Sequence, residues 1–547
     1  MRLNLFAVLV TSATLFAAAE TKPKDMCVPP PGGTAPTLPA HIMTGQGHID
    51  FPITTSNPKA QEFVNQGVAQ MHSFWAFEAE RSFLQAAALD PQAAMPYWGI
   101  AMVAAGDYRP RFQLTRDGVS ANVKKLDANP RTPVGGPARA IAAVKKAVEL
   151  SAVPGKATDL EKLYIAAIAA RRNPDSKDPD ADYIKGLRAV VAAYPKEVEA
   201  KTYLALHLMQ GFTTPDKQPL PGTMEAVAIL RDLLTVAPDH MAVHHYVIHG
   251  FEGSTFAKDA WPSCRRYPEL VTNIPHALHM PGHIWAQTGK WEEAAHSFES
   301  AAENERGYIQ ADKLYSRGHH GHNVHFLITT YCFQGEYDKA MEASHELLNF
   351  PENPREAASL DNWFTAHRQG WFGLMETLVH FERWDEILDG KTLVVYDKPR
   401  EQAWRHWAIG LALAAKGDVR AARGEVKAMD AELKVLKAKT HDTPKPLEIA
   451  RQELEGHIAF ASGKFDKSFQ TLQAAIRSER ALRYTEPPSY PRPVAEALGP
   501  KALKQGKLQI AEDAFRQALE QYPASHRAVQ GLAETLRREG KPEAAGL

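Results

Sequence analysis

A chain of 547 residues with 44% hydrophobic and 23% charged residues is too long for a single core and too apolar for general disorder, so it must be several domains or a stack of repeated units. Its formal charge of −1, from 63 basic and 64 acidic residues, offers no cationic excess for phosphates and argues against a nucleic-acid partner. Three cysteines allow one disulfide at most.

Residues 1–19, MRLNLFAVLVTSATLFAAA, carry one basic residue, an apolar run from Leu3 to Phe16 and three alanines before Glu20. That pattern predicts a signal peptide and an exported, periplasmic or extracellular protein. The run is short for a membrane span, and no later stretch approaches about 18 uninterrupted apolar residues, so no integral membrane segment is expected after cleavage. Residues 20–60, rich in Pro, Gly and Thr (CVPPPGGTAPTLPAHIM), predict an extended arm. In an oxidising compartment Cys27 and Cys264 are the favoured pair, because Cys332 in LITTYCFQ reads as a buried helix residue; unpaired thiols are the alternative.

Beyond the arm the chain repeats itself. Gly67, Ala79 and Phe83 recur as Gly282, Ala294 and Phe298, and again as Gly499, Ala511 and Phe515, each set inside a helical pattern. Gly417 and Gly463 supply turns in GLALAAKGDVRAARGEV and GHIAFASGKFDKSFQTL. This spacing resembles the tetratricopeptide repeat (TPR), a helix-turn-helix unit of about 34 residues whose small residues let its two helices approach closely. The resemblance implies an all-α, right-handed solenoid of antiparallel helix pairs with a concave inner wall lined by the first helix of each repeat. We expect one array over 61–350 and a second over 351–547. The stretch 101–195 is helical but irregular and does not phase.

Twelve of the 23 histidines fall between His240 and His325. With Ile248, Gly282 and Ile328 as equivalent anchors, the inward positions of the first helices carry His245, His249 and Glu252, then His276, His279 and His283, then His322 and His325. Imidazole is the commonest nitrogen ligand for transition metals, and pairs one turn apart, His245 with His249 and His279 with His283, are natural chelating elements. Nitrogen donors with one carboxylate and no nearby thiolate suit zinc, copper or iron and exclude calcium and magnesium. Eight donors imply two metals or a supporting layer that includes His244, His319 and His320. If the protein is an enzyme, Glu252 is the candidate ligand or general base for metal-activated water or oxygen. The alternative is a metal-free scaffold holding a peptide or protein ligand in the concave groove. Pro281 should kink its helix or begin it, and Gly282 should let two helices touch.

The segments HHYVIHGFEGS, HALHMPGHIWAQTGKW and HNVHFL, with the later YTEPPSYPRP, resemble a group of exported bacterial TPR proteins. That likeness implies the fold and suggests a metal, without implying an activity. No phosphate-binding glycine loop, nucleophile elbow or HExxH pair occurs. Glu453 and His457, one turn apart in QELEGHIAF, read as a surface pair.

Overall fold

The computed structural model describes residues 40–110, 136–311, 318–351, 365–440 and 444–546. The expected signal peptide, Cys27 and most of the expected arm lie outside these residues. Among the described residues there are twenty-three α-helices, two short 3-10 helices and no strand. The pairs run α1 (Pro58–His72) and α2 (Ala76–Leu89), α3 (Met95–Val103) and α4 (Gly136–Ser151), α5 (Asp159–Arg171) and α6 (Pro179–Ala193), α7 (Val198–Leu208) and α8 (Thr223–Val236). They continue as α9 (Met241–Phe251) and α10 (Trp261–Leu270), α11 (Pro275–Gln287) and α12 (Trp291–Ala311), α13 (Gly318–Gln334) and α14 (Tyr337–Asn349). The last are α15 (Ala366–His380) and α16 (Trp384–Leu388), α17 (Pro399–Ala415) and α18 (Val419–Thr440), α19 (Lys445–Ala461) and α20 (Phe465–Arg480), α21 (Val494–Lys504) and α22 (Leu508–Gln521), closed by α23 (His526–Glu539). Each helix packs chiefly on its neighbours in sequence, which is the tetratricopeptide-type solenoid. None of them is long and apolar enough to cross a membrane.

The repeated glycines explain the pairing. A Cβ built on Gly67 would lie 2.7 Å from the Phe83 ring, on Gly282 2.5 Å from Phe298, and on Gly499 2.5 Å from Phe515. In each pair the glycine of the first helix receives the aromatic ring of the second at the same offset along the chain. Pro281 lies inside α11, which begins instead at Pro275 and runs unbroken to Gln287. As the seventh residue of α11 it cannot donate to the Ala277 carbonyl, so the helix continues through Pro281 with one interior backbone hydrogen bond missing.

The described end of the arm is not free. Asn273 N–H donates to the Gly45 carbonyl at 2.9 Å, and Phe51 stacks on Trp98 at 5.2 Å between centroids. The described residues of the stretch 101–195, which does not phase in the sequence, form the end of α3 and α4 to α6, with Asp178 capping α6 by accepting from Ala181 N–H at 3.0 Å.

One apolar core runs from Ile49 to Ala366 and a second from Trp371 to Leu536. The end of the chain returns to its middle: Trp291 Nε1 donates to the Pro523 carbonyl at 2.8 Å, and Phe333 stacks on Tyr522 at 4.6 Å. Gly289, at φ +77°, meets that same carbonyl 2.6 Å from where its Cβ would stand, so any other residue is strained there twice over.

Glu453 and His457 are not a surface pair. Both are buried, and Glu453 accepts from Tyr490 Oη at 2.6 Å and from Arg492 Nη2 at 3.1 Å. The return of segment 481–493 over α19 buries them, a long-range contact that helix periodicity does not encode.

Candidate metal centre

The site grows from α9, in which every residue from Met241 to Phe251 is buried. A helix with no solvent face must place its polar side chains against other protein groups, and here those side chains are imidazoles. His245 Nδ1 donates to the His72 carbonyl at the end of α1, 2.6 Å away, which leaves Nε2 as the lone-pair nitrogen. Its ring lies flat on Tyr267, 5.0 Å between centroids and 11° between planes. One turn on, His249 Nδ1 stands 3.3 Å from the Glu252 carboxylate at the end of the helix. His276, in the first turn of α11, brings its ring 5.1 Å from that of His245 and 6.0 Å from that of His249. One ring nitrogen from each of the three lies within 4.8 Å of the other two.

His245 Nε2 and both nitrogens of His276 are buried without a hydrogen-bond partner among the described residues. A polar atom stranded in this way costs about 1 to 3 kcal/mol of folding free energy, so a native chain that strands several in one place has a reason to. Burial, reinforced by the neighbouring imidazoles, holds both rings well below their ordinary value near 6.5. At neutral pH they are uncharged and present lone pairs, the form that ligates metals. The His72 carbonyl behind His245 and the carboxylate behind His249 fix ring orientation as outer partners of metal ligands do.

Two further groups follow along α11. His279, His283 and His322 form one, with His279 Nε2 and His283 Nε2 only 2.5 Å apart. Glu252, His283 and Glu486 form the other. His283 Nδ1 lies 2.9 Å from Glu252 Oε1 and 2.5 Å from Glu486 Oε2. Burial pushes this imidazole down, but the two carboxylates outweigh it and raise it to about 9. Burial, joined by the adjacent imidazoles, keeps His279 well below 6.5.

Of the eight residues picked from the repeat register, seven fall into these groups. His325 stands apart, 3.5 Å from Glu376. His319 and His320 sit on the buried Glu305, at 2.5 and 3.6 Å; burial raises that carboxyl, but His319 and His320 together bring it to about 2. His244 packs between helices, bonded to Ser263 Oγ at 3.0 Å and the Pro238 carbonyl at 2.7 Å. Sequence reading missed Glu486. Its segment, YTEPPSYPRP, was conspicuous, but nothing in the repeat register says that a loop of the second array reaches α11.

The inner wall is also not an open groove at this level: His245, His249, His279 and His283 are each 4% exposed or less. What remains open is a cleft of about 520 Å³ beside them. His283 and Glu486 form part of its wall, with aromatic rings from Phe212, Trp291, Phe326 and Tyr522 around them. Cys264 is buried in α10 and unpaired among the described residues; its expected partner Cys27 lies outside them.

No protein-family model matches the chain, and none of the curated proteins compared with it matches. Among solved structures it is similar to a human IFIT1 dimer with m7Gppp-AAAA, at 11% identity and a TM-score of 0.33, covering 90% of this chain and 89% of that one. It is also similar to the APC/C hetero-tetramer Cut9-Hcn1, at 12% identity and a TM-score of 0.27 over 88% and 90% of the two chains. For yeast Tom70 the figures are 10%, 0.24, and 89% and 90%. Scores this low bear neither on the details of the fold nor on function, which rest on this chain's own helix pairs and side chains.

Proposed function

We propose that this chain is an exported helical-repeat protein that holds a transition metal on His245, His249 and His276. The observation that carries this reading is the set of three buried imidazoles whose nitrogens converge while His245 Nε2 and both nitrogens of His276 lack a partner among the described residues. Three nitrogen donors backed by a carbonyl and a carboxylate suit zinc or copper, and iron less well. Export rests on the composition of residues 1–19.

When bound, such a metal supplies Lewis acidity and lowers the pKa of a coordinated water. The chain's own part is to hold three imidazoles in one tautomer each and to exclude bulk water. Glu252, with its side chain 1% exposed, supports His249 and His283 as a positioning residue in this reading. A peptide-holding groove has less support, because the histidines that would line it are buried.

The test is elemental analysis of the mature protein, purified without a histidine tag, beside H245A/H276A. Metal at one equivalent or more that survives dialysis in the parent, with at least one equivalent lost in the variant, is the expected result. A parent that holds none after reconstitution with zinc, copper and iron refutes the proposal.

A further inference from the structure

We infer that Glu486 completes a second, chemically distinct metal position with Glu252 and His283 in the wall of the 520 Å³ cleft. This rests on the reading of the chain as a metal protein but adds a site with different donors and different access.

The first argument is charge. The side chains of Glu252, His283 and Glu486 are 1%, 4% and 2% exposed, and among the described residues neither carboxylate is paired with a lysine or arginine. Both instead converge on one nitrogen, His283 Nδ1, which has a single hydrogen to give. Two buried carboxylates on one imidazole leave the cluster short of positive charge even when that ring is protonated, and buried charge without compensation is costly. A divalent cation among the three side chains supplies what is missing, and their ligand atoms lie within 4.8 Å of one another.

The second argument is position. His283 and Glu486 line the cleft, whereas His245, His249 and His276 do not. The mixed position therefore borders a space the size of a small-molecule site, and the tri-imidazole position does not border that cleft. One nitrogen with two carboxylates favours a harder or borderline ion, such as iron(II), manganese(II) or zinc, and leaves coordination places for water or a ligand from the cleft. Thr485 Oγ1, also in the cleft wall, is buried without a partner among the described residues.

The third argument is connectivity. Glu252 touches His249 and His283, so it stands behind one position and within the other. Glu486 arrives from residues 481–493, between α20 and α21. A metal at the cleft position therefore ties the second array to the first.

Cobalt(II) alone is the probe, added to the full chain and followed by dialysis, elemental analysis and visible absorption. The parent is expected to hold two equivalents, and H245A/H276A and E486Q one each, with different residual spectra because the surviving ligand sets differ. Metal should also protect the exposed Arg483 from trypsin in the parent and not in E486Q. Y484F disturbs the same loop, since Tyr484 donates to Glu486, but removes no ligand and should keep both equivalents. A parent with no metal overturns both this inference and the proposed function. A parent with one equivalent, or an E486Q that keeps two, overturns the second position alone, as does loss of metal in Y484F equal to that in E486Q.

Discussion

Replacing Arg492 by Met should destabilise the second array by more than about 3 kcal/mol at pH 7, and the loss should shrink as the pH falls. Arg492 is 1% exposed and Glu453 is fully buried; the arginine also reaches the Val379 carbonyl at 3.4 Å and Glu382 at 3.7 Å. Burial raises the Glu453 carboxyl, but Arg492, with His457 and Tyr490, brings it down to about 2. Without the guanidinium this carboxylate can escape its plight by taking a proton. The cost of that protonation at pH 7, from an ordinary value near 4.5, is about 3 kcal/mol at roughly 1.4 per pH unit, which caps the penalty of leaving the carboxylate unpaired; the stabilisation that pairing gave the parent is lost in addition. In the parent, the depressed carboxyl contributes stability that is present above 4.5 and lost as pH falls toward 2; in the variant the sign reverses. The difference between the two should thus be largest at neutral pH, smaller at 4.5 and close to zero only near pH 2, where the parent's carboxylate is protonated as well. Urea unfolding followed by tryptophan fluorescence measures it, because Trp404 and Trp407 are buried 5.9 and 6.0 Å from Tyr490. R492M/E453Q should recover much of the loss at pH 7. A penalty that does not change with pH, or a double variant no better than R492M, would refute the reasoning.

H276F removes two stranded nitrogens, so the metal-free variant should be more stable than the metal-free parent by about 1 to 2 kcal/mol; in saturating zinc the order should invert, as paired thermal melts would show. G282A forces a methyl to within 2.5 Å of Phe298, whose ring is backed by Phe326 at 4.4 Å. Overpacking of about 1 to 3 kcal/mol should outweigh the helix propensity gained, up to about 1 kcal/mol, giving a lower melting temperature and weaker metal retention. Burial raises Glu479 to about 8, so the folded state keeps a proton that the unfolded state releases above 4.5, and this residue subtracts stability as pH rises between those values. E479Q should therefore match the parent near pH 4.5 and exceed it at pH 8; equal stability at both would remove the assignment.

The helix pairs were legible because glycine and aromatic partners recur in register, and Gly282 against Phe298 is the plainest instance. Convergence of histidines was legible for the same reason: once Ile248, Gly282 and Ile328 are aligned, the solenoid brings equal positions of adjacent helices together. Their burial was not. It depends on Phe74, just past α1, whose ring lies 4.6, 5.2 and 5.4 Å from those of His245, His249 and His276, on the His72 carbonyl at the end of α1 and on the loop that carries Glu486, all distant in sequence from α9 and α11. Glu453 was misread for a related reason, since an i, i+4 pair says nothing of a proline-rich segment that returns to cover it. Local periodicity encodes which face of a helix is which; it does not encode what the rest of the chain lays over that face.

An open superhelix of helix pairs stretches like a spring, each turn held only by its neighbours. The contact of Trp291 and Gly289 with Pro523 clasps one turn of this spring to another. Those contacts restrain stretching between the two segments and so help to keep the distances between α9, α11 and the loop at Glu486 fixed. Cutting the clasp, for instance by giving residue 289 a side chain, would restore elasticity to the coil and let the ligands drift apart without touching any of them.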